Sequence, residues 1–187
     1  MPNLATNSYR MHRAFFFLVA TTALSAWNAA LHAQTPDWMF ALEGAYIGRY
    51  EVPDPSGLKD ELTSDARLDG RRNLSENGFV LQWMIEGESG VVETLSTWHW
   101  KEGQMCETEI VGGRPAEVCW LLHRQTDHAV VLRRGGDWEG QAMLFERTVE
   151  RLPGQLRITD QHNNGDGTWR FHHGFVFEEM KPEASKR

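Results

Sequence analysis

The sequence predicts an all-β domain: an antiparallel up-and-down β-barrel of about ten strands with a short N-terminal helix. Three observations point to it. Apolar residues alternate with polar ones at a period of two along most of the chain. The intervals between these runs are short and rich in Gly, Asn and Asp, as at Asn77-Gly78, Gly87–Gly90, Gly112-Gly113, Gly135-Gly136-Asp137 and Asn163-Asn164-Gly165. Such short connections permit only antiparallel neighbours, because a parallel crossover needs a dozen residues or more. A meander of this length removes its exposed edges most simply by closing on itself.

In chain order, the first 33 of 187 residues stand apart. Arg10, His12 and Arg13 precede the apolar run from Ala14 to Trp27, and Leu31-His32-Ala33 offers a small-residue cleavage site. This is the three-part pattern of a secretory signal peptide, so residues 1–33 are expected to be removed near Ala33 and the remainder to be periplasmic or secreted. The run is shorter than the ~20 residues a membrane span needs, so no span is expected after cleavage. Without Arg10 and Arg13, 17 of the 19 basic residues remain against 26 acidic ones, a net charge of −9. That balance argues against nucleic acid and anionic lipid as partners, since both require a basic patch.

The barrel domain is expected over residues 34–180, with a disordered tail at 181–187. Thr35-Pro36-Asp37 reads as a helix start, with Thr35 as cap and Pro36 as first residue. Trp38, Phe40 (or Met39) and Leu42 give that helix an apolar side for plugging one end of the barrel. Ala45–Val52 is the first strand. The mixed stretch from Asp54 to Gly70 reads as a long loop, a lid over the open end, with a helical turn near Lys59 to Leu62. Nine strands follow, from near Ala66 to Glu178.

Two cysteines lie symmetrically about Gly112-Gly113. Counting outward from that turn pairs Val111 with Arg114 and finally Cys106 with Cys119, at a non-hydrogen-bonded position. There the Cα atoms approach to ~4.5 Å, within disulfide range, so a Cys106–Cys119 bridge is expected in an oxidising compartment. Glu107 and Glu109 share one face of this hairpin. Either they enter a polar lumen or the hairpin protrudes, and Pro115 favours protrusion.

The last two strands carry the densest aromatic set. Trp169, Phe171, His173, Phe175 and Phe177 share one face, with Arg170 and His172 on the other. A turn centred on Asn164-Gly165 sets Asp160 opposite Trp169, Ile158 opposite Phe171 and Leu156 opposite His173. Trp83, Trp98, Trp169, Phe171, His173 and Phe175 are therefore the candidate ligand-binding wall, for a small hydrophobic molecule in the interior. His173, between Phe171 and Phe175, is expected to be desolvated and neutral. It could orient a ligand carboxylate, serve as an axial haem ligand, or be a satisfied core histidine. Arg133-Arg134, before Gly135-Gly136, could hold an anion at the barrel mouth. No nucleophile elbow, HExxH, Walker loop or dinucleotide fingerprint is present.

The residues Trp38, Leu42-Glu43-Gly44-Ala45-Tyr46-Ile47-Gly48, Gly78-Phe79-Val80-Leu81, Gly167-Thr168-Trp169 and Phe175-Val176-Phe177 together resemble lipocalin-like (calycin-type) barrels. The chain is most similar to an uncharacterised bacterial family of that type, although Gly44-Ala45-Tyr46 stands where lipocalins carry G-x-W. The resemblance implies a barrel and a small apolar ligand, and no site residue. Three functions are consistent with this reading. The first is a non-enzymatic exported barrel binding a small hydrophobic ligand. The second is an envelope isomerase or hydrolase with His173 or His99 as acid/base. The third is a protein-interaction module, its partner unspecified, using the Cys106–Cys119 hairpin as a rigid tip.

Overall fold

The computed structural model describes residues 35–56, 61–73, 77–88, 90–111 and 114–181. The expected signal peptide and nearly all of the expected disordered tail lie outside these residues. A 3-10 helix (Asp37–Leu42) leads into ten strands: β1 (Gly44–Pro53), β2 (Glu61–Asn73), β3 (Gly78–Gly87), β4 (Gly90–Lys101), β5 (Gln104–Val111), β6 (Arg114–Gln125), β7 (Ala129–Trp138), β8 (Gln141–Leu152), β9 (Gln155–Asn163) and β10 (Arg170–Glu179). Each pairs with its sequence neighbour, and β1 pairs antiparallel with β10 to close the barrel. The all-β, closed antiparallel architecture read from the sequence is the one observed.

The alternation that predicts the strands also sets their inner face. Ala66, Leu68 and Gly70 of β2, Phe79, Leu81 and Trp83 of β3, and Leu156 and Ile158 of β9 are all buried. At one end the interior is solid. Leu68, Phe79, Leu81, Leu132, Leu156 and Phe177 are almost wholly enclosed, and the helix closes over them with Met39 and Leu42. Tyr46 Oη donates to Ala41 O at 2.6 Å, and Phe40 meets Phe79 edge-on, pinning the plug to β1 and β3. Gly70 is required beneath it, because a Cβ there would lie 1.7 Å from Leu42 O.

Three local expectations are corrected. The helix has Pro36 at its N-cap and no side-chain cap, so Thr35 does not play that part; the Met39 N–H donates to Pro36 O instead. The stretch read as a lid is mostly strand, since Glu61–Gly70 pairs residue for residue with β1 from Pro53↔Glu61 to Gly44↔Gly70. Its sequence looks mixed because its outward residues, Glu61, Asp65, Arg67 and Asp69, are charged while its buried inward series is short, Ala66, Leu68 and Gly70. Of the helical turn expected near Lys59 to Leu62, Lys59 lies outside the described residues and Leu62 is in β2. Finally, the β9–β10 connection is longer than a two-residue turn. Asp160 therefore faces His173, Ile158 faces Phe175 and Leu156 faces Phe177.

The cysteine expectation holds. Cys106 and Cys119 are cross-strand partners with Cα atoms 4.0 Å apart, and their sulfurs are bonded. With 13 residues of sequence separation, the bridge is worth about 2–4 kcal/mol through its restriction of the unfolded chain. Replacing both cysteines by Ser is expected to lower stability by about that amount in guanidinium denaturation while the far-ultraviolet spectrum stays that of a sheet; an unchanged midpoint would contradict this.

Candidate functional site

Above the solid end, the inner faces of β5, β8, β9 and β10 bring together charges that no aromatic pattern announced. On β8 the inward series is Met143, Phe145, Arg147, Val149; on β9 it is Leu156, Ile158, Asp160. Register sets Arg147 directly opposite Asp160. The Arg147 guanidinium donates from Nε and Nη2 to the two Asp160 oxygens at 2.8 and 2.7 Å, the bidentate geometry of a strong pair. Its Nη1 reaches across the lumen to Glu107 Oε2 on β5 at 2.7 Å. Glu107 Oε1 in turn accepts from Trp98 Nε1 at 2.6 Å. Arg147 also lies over the rings of Trp98 and Trp120, 5.0 and 4.6 Å from their centroids.

All three charged side chains are about nine-tenths buried. Burial alone would depress the charge on Arg147, but two carboxylates hold its pKa well above the usual value. Burial alone would likewise raise Asp160, and the Arg147 charge and hydrogen bonds overcome it, leaving the carboxyl below its ordinary range. His173 Nε2 sits 3.3 Å from Asp160 Oδ2. Burial nonetheless dominates there and lowers the imidazole to about 4, so His173 is neutral at neutral pH. Glu109, beside Glu107 on the same face, is pushed up by burial and by the Glu107 charge.

A β-bulge in β10 explains which aromatics enter the lumen. Phe171 pairs with Gln161 and His173 with Asp160, leaving His172 as the extra residue. The bulge brings the consecutive His172 and His173 to one cavity. Phe171, before the bulge, has the opposite parity and packs over Gly174, where a Cβ would meet its ring at 3.3 Å. Trp169 precedes β10 and lies under the Arg133 guanidinium, 5.2 Å away, while Arg133 pairs with Glu146.

Two adjoining cavities occupy the open half of the lumen and share Glu107, Glu109, Arg147 and His173. One, of about 140 Å³, is walled by Tyr50, Trp83, Trp98, Ile158 and Phe175. The other, of about 260 Å³, is walled by Trp120, Arg134, Trp138, Phe145, Asp160 and His172. Of the six wall candidates, Trp83, Trp98, His173 and Phe175 thus converge, whereas Trp169 and Phe171 line neither cavity. A wider hollow of about 690 Å³ lies on the outer face of β1–β3 and β10 among Arg49, Asp65, Arg67, Glu86 and Glu178, whose charged side chains solvate it.

Glu107 and Glu109 line the lumen and their hairpin forms barrel wall, which corrects the expected protrusion. Likewise His172, expected on the outer face, lines the larger cavity. Of the Arg133-Arg134 pair expected to hold an anion, Arg134 alone enters the lumen, while Arg147 and Asp160 are site residues that the sequence reading does not single out. The signal for them was a charged residue at an inward parity position between apolar ones, as in Phe145-x-Arg147-x-Val149. Haem does not fit the arrangement: His173 Nε2, the atom an iron would take, faces the Asp160 carboxylate at 3.3 Å. Cys106, Glu117 and Cys119 cluster closely enough to hold a metal, but both sulfurs are consumed in the disulfide.

No family model matches the chain, and no curated protein does. Among solved structures it is similar to Rv2717c from M. tuberculosis, with a TM-score of 0.48 and 9% identity, over 75% of this chain and 94% of that one. No lumen residue is carried from one to the other.

The neutral His173 has a pH consequence. Its pKa is about 4 in the folded protein against 6.5 for an ordinary histidine, so between those values the unfolded chain binds a proton that the native one does not. Stability is therefore full above pH ~6.5 and declines as pH falls towards 4, by on the order of 3 kcal/mol from this group. His172, also lowered by burial, acts in the same direction. Denaturation midpoints of His173→Gln are expected to fall less steeply across this window than those of wild type; parallel curves would refute the assignment.

Proposed function

We propose that the protein is an exported, non-enzymatic barrel that binds a small amphipathic molecule in the open half of its lumen. The observation that carries this reading is the pair of adjoining cavities, aromatic on one side and lined by hydrogen-bonding groups at their junction. Pockets that fix small molecules combine these two features: apolar walls for affinity and a few placed polar groups for orientation. A purely hydrophobic ligand suits the lumen less well, because it would cover Glu109 and His173 without offering either a partner. The Cys106–Cys119 bridge fits an oxidising compartment, as the N-terminal sequence pattern does. The lipocalin-like resemblance belongs to the same proposal.

Acid–base catalysis is a second reading, favoured by one observation. His173 is neutral and set by Asp160, while Glu109, with its raised pKa, faces the same space. In that case His173→Gln would stop turnover of the bound molecule without releasing it.

Native mass spectrometry of protein purified from its own host tests the binding reading. A mass excess is expected on wild type and its loss on the double variant Thr94→Phe, Val118→Phe, since Thr94 lines the smaller cavity and Val118 the larger, and the added rings would fill both. The same bound molecule at full occupancy in both proteins would overturn the lumen as its site.

A further inference from the structure

Two arginines reach the open lumen, and only one has partners. Arg147 is saturated by Glu107 and Asp160. Arg134, on β7, lies between the rings of Trp120 and Phe145, with its Cζ 4.9 and 4.3 Å from their centroids. Among the described residues it has no ion-pair or hydrogen-bond partner. Its Nε is enclosed without an acceptor. The Nη atoms therefore form its usable edge, in the cavity it shares with His172 and Trp138. Its neighbour Arg133, by contrast, is outside and bound to Glu146.

The place is shaped around that guanidinium. A Cβ on Gly136 would lie 2.7 Å from Arg134 Nη1 and 3.0 Å from the Phe145 ring, so any larger residue there displaces the side chain. Two aromatic faces fix its plane, and a fixed planar fork loses little freedom when it binds. Burial, and then the charge of Arg147, press its pKa downward: the cation is held where it lacks a counterion.

The geometry points to Arg134 as the anchor for a carboxylate on the ligand, which makes the ligand a compact aromatic acid. This rests on the lumen being the binding site, as proposed above. A planar, singly charged carboxylate matches the guanidinium fork. A doubly charged phosphate matches it less well, because Glu107, Asp160 and Arg147 together already carry one net negative charge and Glu109 adds acidity nearby. The aromatic remainder finds Trp120, Trp138 and Phe145 along the same cavity, whose volume of about 260 Å³ suits one or two rings rather than a long acyl chain.

Titration with benzoate and with benzyl alcohol, read by calorimetry and by the indole N–H resonance of Trp120 (identified with Trp120→Phe), tests the assignment. Benzoate is expected to bind wild type at least tenfold more tightly than the alcohol and to move that resonance. Arg134→Met should erase the difference, and Arg134→Lys should restore part of it. If Arg134→Met folds poorly, Gly136→Ala serves instead, since it displaces the guanidinium while retaining it. Equal binding of acid and alcohol, unaffected by either variant, would overturn the carboxylate anchor and leave the lumen as a binding site. Binding of neither compound would also overturn it, with the binding reading then decided by the mass comparison of wild type and the Thr94→Phe, Val118→Phe variant.

Discussion

The interaction on which the barrel's interior depends is the grip of Glu107 and Asp160 on Arg147. A guanidinium placed between Trp98 and Trp120 without counterions would cost several kcal/mol to desolvate. Here each of its three nitrogens donates to a carboxylate oxygen: two of Asp160 from the adjoining strand, and one of Glu107 from across the lumen. That cross-lumen bond ties β5 to β8, which are not sheet neighbours. It also separates two kinds of interior. Towards the helix, apolar side chains interlock and leave no room; away from it, paired charges cannot be packed over by aliphatic groups, and cavities remain.

The same arrangement sets the chemistry of the open half. Asp160 is committed to Arg147, so its attraction for a proton on His173 is outweighed by burial, and the imidazole stays neutral beside a carboxylate. Glu109 lacks a comparable cation and gains proton affinity. Arg134 lacks a comparable anion and is left as an available charge. The paired charges are structural, and in the proposed binding reading the unpaired ones are the groups that would meet a ligand. The β-bulge adds His172 to them by turning two consecutive residues of β10 towards one cavity.

How much of this was legible follows from what a period of two can encode. Strand number, antiparallel order, the disulfide and the inward place of Trp83 and Phe175 follow from alternation and turn residues, whereas the choice between Trp98 and His99 is made by the β3–β4 register, which sets Trp98 opposite Phe79. The bulge at His172 does not follow from alternation, because one inserted residue inverts parity for everything before it and so turns Phe171 and Trp169 to the other side; the pairing of Asp160 with Trp169 fails mainly because the β9–β10 connection is longer than two residues. For Glu107 and Glu109 the sequence allows either a polar lumen or a protruding hairpin, and Pro115 points to the second. The cation that holds Glu107 is 40 positions away in sequence, and only closure of the barrel brings it near. The stretch from Glu61 to Gly70 was read as a lid for a related reason: its outward charges hide a short inward series of Ala66, Leu68 and Gly70.

The most direct measurement of the central claim is the stability of Arg147→Met beside that of the triple change Glu107→Gln, Arg147→Met, Asp160→Asn. The single change strands two buried carboxylates and is expected to cost about 3–5 kcal/mol, whereas the triple change removes the stranded charges, keeps acceptors for Trp98 and His173, and should recover a substantial part of that loss. A single change costing less than about 1 kcal/mol, or a triple change costing more than the single one, would contradict the account of Arg147 as the paired charge around which the lumen is built.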